Sequence, residues 1–109
     1  MKFACHLALI AALSLALAGC ENEYSVYEET KAANTIDAYQ TFLEQYPDGV
    51  NVADAKERLD NLEWAEATEI ATSGAYEDYL RNFPEGLHAE EASLEAPKLA
   101  WQEADWEGT

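Results

Sequence analysis

The sequence predicts an all-α fold built from repeated helical hairpins. Three observations carry that prediction. The chain has 5 Gly and 3 Pro in 109 residues and is otherwise dominated by Ala, Glu and Leu, which favours helices over short-stranded β architectures. Its apolar residues fall at helical spacing. One motif occurs twice at a constant separation of 37 residues, as Ala38 to Gly49 and as Ala75 to Gly86.

Taken in chain order, the first element is an address. Met1-Lys2-Phe3-Ala4-Cys5-His6 precedes an apolar run from Leu7 to Ala18, broken only by Ser14. A short cationic start, an apolar core and small residues before a polar switch are the parts of a secretory signal, assigned to residues 1–19. A membrane span needs about 20 apolar residues, so the run is too short for one. Leu17-Ala18-Gly19-Cys20 resembles a bacterial lipobox. That resemblance implies diacylglyceryl transfer to the Cys20 thiol, cleavage before Cys20 and acylation of the new amino group. More than one acyl chain makes such an anchor stable, at ~0.8 kcal/mol per buried CH₂. Glu21 rather than Asp follows Cys20, which leans toward the outer membrane, facing the periplasm. Cleavage would leave Cys20 as the sole thiol and His88 as the sole imidazole.

Residues 20–33 read as the lipidated cysteine and an acidic tether that gives way to helix near Tyr27. The repeat domain is expected over 34–107, with two whole repeat units, 27–63 and 64–100, and the opening of a third at 101–109. In the first copy Ile36, Tyr39, Leu43 and Tyr46 form one apolar stripe. Tyr76, Leu80 and Phe83 form it in the second, and Phe42 and Tyr79 widen it. Pro47 and Pro84 end these helices, and Gly49 and Gly86 allow a sharp turn. Asn51 reads as the cap of the next helix, with Asp54 in its first turn. That helix carries Val52, Ala55, Leu59 and Leu62. The small Ala55 and Ala92 mark close helix approach. Val50 pairs with Leu87, Leu62 with Leu99 and Trp64 with Trp101 at the same separation. The aromatics Tyr27, Trp64 and Trp101 recur once per unit and are expected to wedge between hairpins. The repeat core is therefore assigned to Tyr39, Leu43, Tyr46, Leu62, Trp64, Tyr76, Leu80, Phe83, Leu99 and Trp101. Pro97, opposite Asp60, predicts that one helix ends near Ala96 and that a fresh one starts at Pro97 as an end cap.

The pattern Tyr-x-x-Phe/Tyr-Leu-x-x-Tyr/Phe-Pro-Asp/Glu-Gly-x-x-x-x-x-Ala resembles the tetratricopeptide-like hairpins of bacterial envelope proteins. BamD-like outer-membrane assembly lipoproteins and the periplasmic coordinator of the Tol–Pal system are relatives of this kind. The resemblance covers about residues 27–107 and implies the helical-hairpin fold. It supplies no catalytic residue.

Other chemistry is excluded residue by residue. Six Lys+Arg against 22 Asp+Glu leave no basic patch for nucleic acid. Two Cys and two His leave little for a zinc site, which usually takes four ligands, and make a multi-disulfide scaffold impossible. Ser25, Ser73 and Ser93 lack a nucleophile-elbow context. His88 reads as an exposed residue beside a helix start. No enzyme and no cofactor or metal is expected. The expected function is a membrane-anchored periplasmic module that binds other envelope proteins. Its acidity reads first as a solvated, repulsive surface that keeps the chain soluble or adapts it to salt, and alternatively as a field that steers basic partner segments. Self-association is a further expectation, since about three repeats are usually needed for independent stability. Two alternatives are an accessory subunit of outer-membrane assembly or Tol–Pal-type division machinery, and a small envelope enzyme inhibitor using the Pro47–Gly49 and Pro84–Gly86 turns.

Overall fold

The computed structural model describes residues 22–108, with side chains as far as Asp105. The expected signal peptide over 1–19 and the Cys20 attachment point lie outside the described residues. Among the described residues the chain is all-α, with five helices and no strand. These are α1 (Glu23–Ala33), α2 (Ile36–Gln45), α3 (Val52–Ile70), α4 (Ser73–Asn82) and α5 (Ala89–Gly108). They fall into two compact units divided after Val52.

In the first unit the expected tether is helical from Glu23 onward. Asn22 explains the early start. Its side-chain oxygen accepts the Ser25 N–H at 2.8 Å, and Glu23 places negative charge in the first turn. Val26, Tyr27 and Thr30 then give α1 a buried stripe that a solvated spacer would lack. Thr35 caps α2 by accepting the Ala38 N–H at 3.1 Å. Tyr39 and Phe42 of α2 are wholly buried. The Tyr27 ring meets Tyr39 edge-on at 6.4 Å and Phe42 at 4.7 Å, so an aromatic cluster closes the α1–α2 hairpin.

The second unit holds the remainder of α3 with α4 and α5. Its core is Ala67, Tyr76, Tyr79, Ala92 and Ala96, with Trp64, Leu80, Phe83 and Leu99 packed against it. Ala92 is fully buried, and a methyl side chain there lets α5 lie close to α4. Thr72 caps α4 as Thr35 caps α2, accepting the Ala75 N–H at 3.1 Å.

Local geometry recurs at the repeat distance. Asn34 and Ala71, 37 residues apart, are the two positive-φ non-glycine residues among those described, at 50° and 55°. Each ends a helix in left-handed geometry and donates its N–H to the carbonyl four residues back, at 2.8 Å in both copies. Tyr46 and Phe83 end the short helices at φ −129° and −133°. The following turns also match: Gly49 N–H reaches the Tyr46 carbonyl at 3.3 Å, and Gly86 N–H reaches that of Phe83 at 3.0 Å.

Two expectations are corrected. Gly49 and Gly86 do not adopt positive φ, so backbone conformation is not why they are glycine. The helix does not break at Pro97 either: α5 runs through it. Proline removes the N–H that the Ser93 carbonyl would accept, at a cost of about 3 kcal/mol in a helix interior. Contacts on both sides of Pro97 offset that loss, because Ala92, Ala96 and Leu99 all face the core shared with α4.

Candidate functional site

The second unit buries a carboxylate, Asp60 of α3. Its Oδ1 accepts the Tyr79 hydroxyl, and its Oδ2 accepts the Leu87 N–H at 2.8 Å. Tyr79 Oη in turn accepts the His88 N–H at 3.0 Å. One carboxylate and one phenol therefore hold the turn between α4 and α5. Burial pushes the Tyr79 phenol above its ordinary value, and donation to Asp60 adds to the rise. The His88 ring stacks on Trp64 at 4.8 Å with an interplanar angle of 1°, and its Nε2 lies 2.8 Å from Asn61 Oδ1. His88 is thus half-buried packing, not the exposed residue expected.

The first unit uses Glu23 in the same way. Its carboxylate accepts the Val50 N–H at 3.3 Å and the Asn51 N–H at 2.9 Å. The Asn51 side chain donates to the same carboxylate at 3.3 Å, so it serves this clamp rather than capping α3. Glu23 and Asp60 are 37 residues apart. The repeat offset pairs them in the sequence, yet neither was singled out, because each acts on a turn 27 or 28 residues away. The two clamps satisfy structural donors and leave little capacity for chemistry on a substrate.

Binding space lies elsewhere. Between α1 and α2 runs a groove of about 360 Å³, of a size that small ligand sites also show. Val26, Ala33, Ala38 and Phe42 give it apolar surface. Thr30, Thr35, Thr41 and Gln45 add hydrogen-bonding groups, and Glu29 and Asp37 add negative charge. No basic residue lines it. A more open cleft in the second unit is bordered by Lys56, Glu57, Glu85 and Leu87 over Asp60 and Phe83.

The expected core residues divide by depth. Tyr39 and Tyr76 are buried, while Leu43, Tyr46, Leu62, Trp64, Leu80, Phe83 and Leu99 are half-buried. Phe42 and Tyr79, treated as secondary by the spacing, are among the most deeply buried side chains. Trp101 corrects the assignment outright: it is 74% exposed. Tyr27 and Trp64 owe their contacts to the short helix that follows each of them, and among the described residues no helix follows α5. No group of three or more His, Cys, Asp or Glu suited to a metal ion occurs among the described residues. No helix among them is long and apolar enough to cross a membrane.

These features define a class, an all-α chain of repeated helical hairpins whose polar networks are structural and whose open surface is acidic. Compared with protein families, with curated proteins and with solved structures, the chain matches none.

Proposed function

We propose that this chain is a protein-binding module of the bacterial envelope, held at the outer membrane through Cys20 and facing the periplasm. The α1–α2 groove carries the reading. Its apolar floor, hydroxyl-bearing walls and exclusively acidic charge suit an extended or helical segment of a partner that carries basic residues. The Leu17-Ala18-Gly19-Cys20 signal supplies location, and the repeated hairpins supply a rigid surface. Repeat proteins of this kind act by presentation, so no reacting group is required of them.

A photo-crosslinking side chain placed at Thr41, in the groove, tests the proposal in intact cells. The expected result is discrete adducts to envelope proteins, weakened by raised salt, with far fewer from the same group at Ala32, which does not line the groove. Cys20→Ser should abolish fatty-acid labelling and disperse the adducts. Absence of any adduct from groove positions, in cells where the chain is present and folded, would overturn it.

A further inference from the structure

We infer that the second half of α5 is an acceptor face for a helix of a partner protein, one carrying two aromatic side chains three residues apart and a basic polar side. The inference rests on the proposed binding role and deepens it by giving a partner's chemistry.

The internal repeat shows what this face receives. Residues 23–33 of α1, 60–70 of α3 and the part of α5 from Pro97 are the same segment at successive 37-residue steps. On α1, Tyr27 and Thr30 are buried, with Tyr39 and Phe42 of α2 against the Tyr27 ring. On α3, Ala67 is buried, and Trp64 lies 5.4 Å from Tyr76 and 5.3 Å from Tyr79 of α4. In both cases the covering helix carries aromatics at i and i+3. On α5 the corresponding pair, Trp101 and Ala104, is exposed. Leu99, which faces the core shared with α4, is half-buried, so the helix is anchored on one side and open on the other.

Two further features narrow the occupant. Among the described residues no aromatic helix is free to supply it, because Tyr39, Phe42, Tyr76 and Tyr79 are already buried in their own units. Pro97 stands where Glu23 and Asp60 clamp the turn after the covering helix. The α5 face therefore offers a seat for a helix and no carboxylate for a turn behind it. Charge sets the polar side. Asp105 lies exposed on this half of α5, Glu103 beside it keeps its charge while accepting from the Ser73 N–H and hydroxyl, and the one cation there, Lys98, is paired with Glu95 at 2.9 Å. With 22 acids against six bases in the chain, a basic helix is favoured over an acidic one.

The test uses the full-length chain in detergent and a fluorescent peptide of sequence Thr72–Pro84, in native form and with Glu77→Lys and Asp78→Lys. Anisotropy should report saturable binding, tighter for the basic peptide at low salt. Trp101→Ala in the full chain should weaken binding by about thirtyfold, the scale of a buried-tryptophan hot spot. Replacing both peptide tyrosines by Ala should remove it. Unchanged binding to the Trp101→Ala chain, meaning the peptide has displaced α4 instead, would overturn the inference. So would a concentration-dependent dimer that Trp101→Ala dissolves, since a second copy would then own the face. Groove crosslinks persisting in cells alongside a failed peptide titration would sink this inference alone. Their absence would sink the broader reading.

Discussion

Asp60 and Tyr79 are both buried, bond to each other and each serve a second partner, so their interaction is not screened by solvent. Removing the phenol oxygen by Tyr79→Phe strips Asp60 of one donor and leaves the His88 N–H without its acceptor. We expect a loss of about 2 kcal/mol in urea unfolding. Asp60→Ala should cost about 3 kcal/mol, because Tyr79 and the Leu87 N–H both lose their acceptor. The double variant should lose less than the sum of the two, and strict additivity would show that the pair is not coupled. The pH dependence follows in sign. The folded Tyr79 phenol titrates above its ordinary 10.0, so its contribution is intact below about pH 10 and disappears as pH rises through the folded value. The gap between wild type and Tyr79→Phe should therefore close in strong alkali. The glycines make a second comparison. A Cβ at Gly86 would lie 2.6 Å from Tyr79 Oη, 2.7 Å from Asp60 Oδ2 and 2.7 Å from Phe83 Cβ, so Gly86→Ala would push on atoms that are themselves fixed. At Gly49 the nearest obstacle is the Glu23 carboxylate, the movable end of a long side chain. Gly86→Ala should cost about 2 kcal/mol, and Gly49→Ala about 1 kcal/mol by displacing the Glu23 clamp. Equal melting curves for the two would contradict the assigned roles.

At the scale of elements, the two helix-ending residues expose a defect that can be repaired. Asn34 tolerates φ near 50°, and its Oδ1 accepts the Tyr39 hydroxyl at 3.2 Å. Ala71 takes the same conformation with no side chain to support it. Ala71→Asn relieves the left-handed penalty and offers an acceptor to Tyr76, the counterpart of Tyr39. It should stabilise the second unit by about 1 kcal/mol, read as a higher urea midpoint with unchanged slope. A lower midpoint would mean that the two junctions are not equivalent. What the sequence made legible at this scale follows the same logic. The stops at Pro47 and Pro84 and the stripes around Tyr39 and Tyr76 are local signals, and the helices lie where those signals put them. The early start of α1 escaped because acidic composition masked the buried trio Val26, Tyr27 and Thr30. Continuity through Pro97 escaped because only contacts with α4 hold the helix together there. Trp101 was misjudged because an aromatic's burial belongs to the element that covers it, and the repeat period says nothing about whether one follows.

For the chain as a whole, charge is the dominant collective term. A formal net charge of −16 on 109 residues makes the compact state self-repulsive. The ion pairs Lys31–Glu28, Arg58–Asp54, Arg81–Asp78 and Lys98–Glu95 are local, three or four residues apart on single helices, and lie toward solvent. Each contributes only about 0.3–0.5 kcal/mol, so screening them removes little. Screening the repulsion among the remaining acids gains more. Raising NaCl from low to physiological strength and beyond shrinks the Debye length from about 30 Å toward 3 Å, and should raise the thermal midpoint continuously rather than lower it. Mild acid relieves the same repulsion, but Glu103 opposes it. This exposed carboxylate accepts the Ser73 N–H at 3.0 Å and the Ser73 hydroxyl at 2.7 Å, and the backbone bond, followed by the hydroxyl, holds its pKa below the ordinary 4.5. A lowered folded value means the contribution is present above about pH 4.5 and is lost as pH falls through it. Glu103→Gln should therefore unfold earlier than wild type at pH 7 and converge with it in acid, while keeping the same salt response. A midpoint that falls with salt would show that attraction, not repulsion, governs this surface. The acidity would then have to be explained as part of the folded network instead of as a field directed at basic partners.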